Sequence, residues 1–518
     1  MNRRKFLGTL GAVGVAAGGK VTAAAGSADF DPTEKTIAEL TAAQTKGSLS
    51  AEALTRSYLS RIERYDRRGP KLGAVLAVNP DALSAARALD AERRAGKLHG
   101  PLHGIPLLIK DNVETLDPVP TTAGSLALAT ARHSVDAPVV ARLRAAGVVV
   151  LGKANLSEWA NARSSRSVSG WSGVGGQTRC PYDPTRNPSG SSAGPAAGTA
   201  ANLCAAAIGT ETDGSILAPA SINGLVGLKP TVGLVSGVGV VPITTRQDTA
   251  GPMTRTVGDA ALLLSVMAEP TVRWDGIAAL ESAPRGLKLG VLPPPASAHP
   301  EVLKQSHDWF KLLEKAGCTL VDVPVPAGWS MLQEEEYVVA LYEFKVDLNA
   351  YLARFNGTLP VRTLADLIRF NEDHAAQEMP LFGQELFVQA EGYGPLTTEA
   401  YRRGLKHMLE VADTKGLSAV FAKYRVDALV ASGNGPAELI DPVWGDRYEN
   451  SGGWPTMCSA AAIAGWPSLT VPAGFVMGLP VGIHFVAPRF KEGRLLQIGR
   501  SFERASRARR PPRLDAAA

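Results

Sequence analysis

Three serines and one lysine are the residues of this 518-residue chain whose spacing could support covalent chemistry. Ser191 and Ser192 are adjacent in a loop of small residues. Ser215 closes the turn Thr212-Asp213-Gly214-Ser215, 24 positions after Ser191 (215 − 191). Between them lie an Ala-rich segment the length of a helix and the short apolar run 205–209. The two loops therefore stand at opposite ends of a helix–strand unit and can fold back to face each other. Gly190, Gly194 and Gly214 permit backbone conformations and close approaches that side chains forbid. Such a geometry suits a nucleophile, a proton-relaying neighbour and backbone N–H donors for a developing oxyanion.

A base must come from elsewhere in the chain. Lys110 ends the apolar stretch HGIPLLIKDN, residues 103–112. The simplest reading is a strand that reaches solvent. In a buried site, however, desolvation disfavours the ammonium form, and a neutral lysine is a general base. Taken singly, Ser191 and Ser192 also fit helix N-caps, and Ser215 fits a turn hydroxyl.

A rival pattern overlaps the same loop. Gly190-Ser191-Ser192-Ala193-Gly194 satisfies G-x-S-x-G, which would make Ser192 the nucleophile of a strand–turn–helix elbow. Yet Arg186-Asn187-Pro188-Ser189 is a poor strand, and the last histidine, His484, falls inside the strand-like run VGIHFV. Neither suits that elbow, which needs a mobile downstream histidine.

Metal chemistry has little support in the sequence. Cys180, Cys204, Cys318 and Cys458 are widely spaced, with no CxxC pair. No HExxH, Walker or EF-hand pattern occurs. His99 and His103 are separated by Gly100-Pro101, which breaks the helical register a metal-binding pair would use. No metal and no organic cofactor is expected.

The elements that must position these residues alternate. Helical periodicity runs over 36–46, 50–65 with Ser50 as N-cap, 81–95 and 137–146. Strand patterns occupy 74–78, 103–112 and 148–152. Residues 225–241 read as turns and short strands, and a capped helix leads from Thr256 to Met267. A further strand–helix–strand unit covers 287–323, followed by long helices over 334–355, 363–376 and 399–424. Strand patterns return at 428–432, 468–472 and 481–486, before a final helix over 492–507. This alternation argues for an α/β sheet with helices on both faces. No internal repeat or long linker divides residues 30–512, which read as one elaborated domain. Within it, 331–425 forms a helical cap or substrate wall.

Composition excludes other classes. Apolar residues make up 45% and charged residues 20%, ordinary for a soluble enzyme-sized chain, and the net charge of +5 demands no anionic partner. The basic cluster at 504–513 reads as a solvated helix end rather than a nucleic-acid site. At the start, Asn2-Arg3-Arg4-Lys5-Phe6-Leu7 precedes a weakly apolar Gly/Ala stretch ending near residue 25. Basic start, short apolar middle and small-residue end describe an export signal of twin-arginine type, not a spanning helix. The expected location is periplasmic or secreted, with transient use of the twin-arginine machinery.

Taken together, GIPLLIKDN, PSGSSAG and GTETDGSILAPASINGLVGLKPT resemble the amidase signature family, in order as well as in spacing. The resemblance extends over 30–512 and includes the closing segment GWPSLTVPAGFVMGLPVGIHF. NLSEWAN, SGWSGVGGQTR, QDTAGPM, LYEFK and LFGQEL look most like the family's bacterial peptide amidase branch. The resemblance implies a large mixed, twisted sheet covered by helices on both faces, with a helical substrate-shaping insertion. It implies catalytic Lys110, bridging Ser191 behind a cis Gly190–Ser191 peptide bond, and nucleophilic Ser215. Backbone N–H groups of Thr212, Asp213 and Gly214 would form the oxyanion hole, with Gly190 and Ser192 supporting the loop.

The sequence departs from the common pattern at Ala193, where glycine is usual, and at Leu217, where many relatives carry arginine. The implied activity is hydrolysis of carboxamides with release of ammonia, C-terminal peptide amides first. Aryl, fatty acyl or other small amides are the alternative. A glutaminase subunit conflicts with the export signal, and a binding-only protein conflicts with the intact Lys110, Ser191 and Ser215.

Overall fold

The apolar runs assemble into one sheet of eleven strands in a computed structural model that describes residues 30–355, 358–446 and 454–517. The expected export segment, 1–25, lies outside the described residues. The strands are β1 (Val75–Val78), β2 (Ile105–Lys110), β3 (Val148–Ala154), β6 (Ala206–Glu211), β7 (Val226–Lys229), β8 (Thr249–Thr254), β9 (Lys288–Val291), β10 (Thr319–Asp322), β11 (Ala428–Ser432), β12 (Ser468–Val476) and β13 (Leu479–Val486). A separate two-stranded ribbon pairs β4 (Trp171–Ser172) with β5 (Gly176–Gln177).

The order across the sheet is β1-β3-β2-β6-β8-β7-β12-β13-β11-β9-β10. β3, β2 and β6 run parallel, as do β11, β9 and β10, and antiparallel pairings join the two blocks. β2, β3 and β6 are buried at every residue, which explains why each reads as an unbroken small or apolar run.

Helices flank the sheet, and the side-chain alternation of its strands separates the cores. In β11, Ala428 and Val430 enter one apolar core while Leu429 and Ala431 enter another, as a period of two demands. The first core takes the helices Ile37–Thr45, Ala51–Arg61, Val257–Met267 and Glu492–Ser506. The second takes the helix Thr456–Ile463, Trp329, and the expected helical insertion around Tyr401 and Met408. A third packs Phe344, Leu348, Leu364 and Phe387 of the insertion against Trp159 and Ala127.

Local chemistry sets the helix starts. Ser50 accepts from the Ala53 N–H as expected, and Thr36 with Glu39 forms a capping box. The helix expected over 399–424 is interrupted instead. Glu399–Leu409 and Ser418–Tyr424 flank a wide π-type turn, Glu410–Leu417. Trp329 Nε1 donates to the Val411 carbonyl at 3.2 Å, drawing it from the helical ladder. A Cβ at Gly416 would sit 2.4 Å from that same carbonyl oxygen.

β8 has no counterpart in the sequence reading, because Gly251-Pro252 argues against a central strand. It nevertheless lies between β6 and β7. Gly251 lets the Leu228 carbonyl pass where a Cβ would stand 2.1 Å away.

Candidate active site

β2 delivers Lys110, β6 leads into the turn that carries Ser215, and the helix Ala193–Ala200 begins just after Ser191 and Ser192. The parallel pairing of β2 with β6 brings the ends of both strands to the same edge. There Lys110, fully buried, places Nζ 2.8 Å from Ser191 Oγ, 2.9 Å from Thr210 Oγ1 and 3.3 Å from the Thr210 carbonyl. Ser191 Oγ is in turn 3.0 Å from Ser215 Oγ. Lys110 Nζ donates in all three contacts and Ser191 Oγ donates on to Ser215 Oγ, so one hydrogen-bonded path links the amine to Ser215. The Gly190–Ser191 peptide bond is cis.

Burial pushes the Lys110 ammonium down to about 7, with the Asp248 and Glu211 carboxylates opposing the shift. Two other lysines, Lys153 and Lys229, are equally buried. Lys153 pairs with Asp111 at 3.6 Å, and Lys229 is opposed by the charges of Glu211 and Glu492. Among the described residues no carboxylate lies within ion-pair distance of Lys110, and that separates it from Lys153.

The turn after β6 is held from below. Glu211 Oε2 accepts from the N–H groups of Ile216 at 2.7 Å and Leu217 at 3.0 Å. Thr212 Oγ1 donates to Asp248 Oδ1, and Asp248 Oδ2 accepts from the N–H groups of Ile243 and Thr244. Burial raises the Asp248 carboxyl to about 7 against these bonds. Gly214 adopts φ +77°, which glycine tolerates. Among the described residues, none accepts a hydrogen bond from the N–H of Asp213, Gly214 or Ser215.

Ser192 is spent on the scaffold. Its Oγ donates to the Thr210 carbonyl at 3.0 Å and accepts from the Thr210 N–H at 3.2 Å, while its own N–H reaches the Ser215 carbonyl. It makes no side-chain helix cap. The elbow reading therefore fails at Ser192. It fails again at His484, which is fully buried, has no hydrogen-bond partner for either ring nitrogen among the described residues, and is pushed by burial down to about 3. Ala193 is unstrained because the positive φ falls on Ser189, at +59°. Leu217 packs in the second core, and Ala218 lines the cavity beside it.

A cavity of about 280 Å³ opens over Ser215. Thr212 to Ser215 form its floor, Trp454 and Asn434 flank them, and Ile243, Leu341, Phe344 and Leu386 form an apolar wall. Gly190 reaches the rim.

The turn at Gly100-Pro101 does bring His99 and His103 together, with ring centroids 5.3 Å apart and Glu92 2.7 Å from His99. A loop achieves what the helical argument did not consider. Both His103 ring nitrogens are engaged there, by the Leu89 carbonyl and by the His99 N–H. The four cysteines are buried and unpaired.

Thr210, Asn112, Glu211 and Asp248 escaped the sequence reading as site residues, although each lay inside a quoted motif. Glu336 and Trp454 carried no local signal.

A family model described as amidase matches residues 53–496. A probable amidase of Arabidopsis thaliana is 38% identical over 94% of this chain and 93% of its own length. A glutamyl-tRNA(Gln) amidotransferase subunit of Halorhodospira halophila is 35% identical over 91% of this chain and 97% of its own. Among solved structures, native peptide amidase from Stenotrophomonas maltophilia is 46% identical, with a TM-score of 0.88 over 93% of this chain and 99% of that one.

Proposed function

The chain belongs to the amidase signature family and is a hydrolase of carbon–nitrogen bonds, and we propose that its substrates are C-terminal peptide amides, cleaved to the acid and ammonia. The 2.8 Å and 3.0 Å contacts from Lys110 through Ser191 to Ser215, opening on the cavity, are the observation that carries this reading. Neutral Lys110 takes the proton of Ser191 as Ser191 takes that of Ser215, and Ser215 Oγ attacks the amide carbonyl. The backbone N–H groups of the 212–215 turn receive the oxyanion, a contribution of roughly 3–4 kcal/mol per donor in comparable hydrolases. Protons return along the same path to the departing nitrogen, ammonia leaves, and water then attacks the acyl-Ser215 ester. Likeness to peptide amidase and the apolar wall beside Ser215 favour a peptidyl acyl group.

The deciding experiment measures ammonia release from a short C-terminally amidated peptide by the native protein and by Ser215→Ala. Release that vanishes in the variant supports the reading. Release that persists overturns Ser215 as the nucleophile. The basic leader further supports export through the twin-arginine route, so Arg3→Lys/Arg4→Lys is expected to retain the protein in the cytoplasm. Unchanged export would refute that route.

A further inference from the structure

The cavity over Ser215 is acidic. Asp213, Glu336 and Asp446 contribute carboxyl groups to its lining, and no Lys, Arg or His lines it among the described residues. Asp213 belongs to the turn beneath the reacting carbonyl, whereas Glu336 comes from the insertion helix Leu332–Ala353 above it. Their side chains meet in a hydrogen-bonded contact, and two carboxyl groups can bond to each other only with a proton between them. Ser459 also hydrogen-bonds to Asp213, itself receiving the Trp454 indole N–H at 3.1 Å, and Gln247 Nε2 donates to Glu336 Oε1. The nearby cations are outnumbered: Arg246 pairs with Glu343 at 2.9 Å, and Lys229 answers the charges of Glu211 and Glu492 as well as Asp213. Burial raises both carboxyls, Glu336 further because it faces Asp213. Two carboxyl groups in contact do not both ionise, so the pair holds a proton between them and shares no more than one negative charge.

Resting on the amide-hydrolysis reading above, we propose that Asp213 and Glu336 make the acyl pocket anion-rejecting. The enzyme takes uncharged and cationic carboxamides and turns away those with a carboxylate next to the scissile amide. The same charge speeds departure of the carboxylate product once the acyl-enzyme is hydrolysed. It also disfavours free glutamine, whose α-carboxylate finds no cation among the described lining residues. Asn434, buried and with Oδ1 lacking a partner among the described residues, offers a neutral acceptor to a substrate N–H on the same wall.

The test compares kcat/KM at pH 7 for three N-acetylated dipeptide amides, Ac-Ala-Met-NH2, Ac-Ala-Glu-NH2 and Ac-Ala-Lys-NH2. The first two are similar in length and differ in charge. A single repelling charge in a partly desolvated cavity is worth on the order of tenfold. We expect the Met amide to exceed the Glu amide by at least about tenfold, and the Lys amide to match the Met amide or exceed it. Because one charge is shared, Glu336→Gln or Asp213→Asn alone leaves the remaining carboxyl ionised and the discrimination in place. The double variant removes it. The readout is the ratio within each protein, so a general loss of rate does not obscure it.

Native enzyme that treats Met and Glu amides within about threefold, well short of the expected repulsion, overturns the proposal without any variant. A double variant that keeps the full ratio overturns the assignment to these two residues. Ammonia from none of the three peptides refutes the underlying reading and this one with it.

Discussion

Lys110 keeps its amine in a site that stabilises the neutral form, and the sign of the consequence is fixed. Its folded pKa lies below its unfolded value, lowered to about 7 by burial. Protons are therefore lost from the base as pH rises through 7. We expect kcat/KM for an uncharged peptide amide to rise tenfold per pH unit up to about pH 7 and then level; a rate flat down to pH 4 would exclude the relay. The same shift bears on stability. Between the folded and unfolded values the unfolded chain binds the extra proton, so this group's contribution is full above its unfolded pKa and is lost as pH falls toward 7. Ser215→Ala is expected to cost at least about four orders of magnitude in kcat, and Lys110→Met a comparable factor, because members of one relay are not additive. Circular dichroism of both variants should match the native protein.

At the scale of elements, the turn after β6 depends on what lies beneath it. Glu211 holds two N–H groups of the following helix and opposes buried Lys229. Glu211→Gln removes the charge that Lys229 requires. Unfolding free energy should fall by roughly 1–3 kcal/mol, the cost of weakening charge-assisted bonds to two buried N–H groups. In the proposed mechanism the turn donates to the transition state, so kcat should fall more than KM rises, which steady-state kinetics on the folded fraction would reveal. Behind the serine loop, a Cβ at Gly194 would meet the Asn155 carbonyl at 2.3 Å and the Ala74 carbonyl at 2.4 Å. Gly194→Ala must push the helix Ala193–Ala200 away from β3, costing about 1–3 kcal/mol as overpacking does and displacing Ser191. A denaturation midpoint equal to that of the native protein would contradict this packing account.

For the whole molecule, the question is what joins the helical insertion to the sheet and so closes the cavity. Arg163, fully buried, pairs with Glu158 at 2.8 Å and stacks over Phe382 at 4.2 Å, while its Nη1 donates to the carbonyls of Phe382 and Gly383. Glu378 of the insertion accepts from the Leu126 N–H at 2.6 Å and from Ser125. These buried polar contacts set where the wall of Leu341, Phe344 and Leu386 stands over Ser215. Arg163→Met strands the Glu158 carboxyl and should cost about 3–5 kcal/mol. Its urea midpoint should drop, and its KM for peptide amides should rise as the wall loosens.

The candidate site residues were legible through their combined order and spacing, since each taken singly also fits a structural role. Lys110 ends an unbroken apolar strand, Ser191 and Ser192 sit in a loop of small residues, and Ser215 follows the glycine its turn requires. The parallel core strands were legible because burial on both faces leaves a continuous apolar run. β8 was not, because Gly251-Pro252 contradicts its own strand propensity and only the neighbours β6 and β7 impose it. Residue types alone did not separate Ser191 from Ser192 as the group facing Ser215; the family resemblance assigned Ser191. The fold decides by spending Ser192 on both polar groups of the Thr210 backbone. Glu336 is a further decision of the tertiary structure. It lies 123 residues beyond Asp213 (336 − 213) on an element with no motif, and only the docking of the insertion over the turn brings the two carboxyls together. Sequence determines what is encoded by neighbours along the chain: strand and helix periods, turn glycines and the type of the reacting group. Long-range packing alone determines desolvation and the contacts between distant side chains, and these set both the protonation of Lys110 and the charge of the cavity.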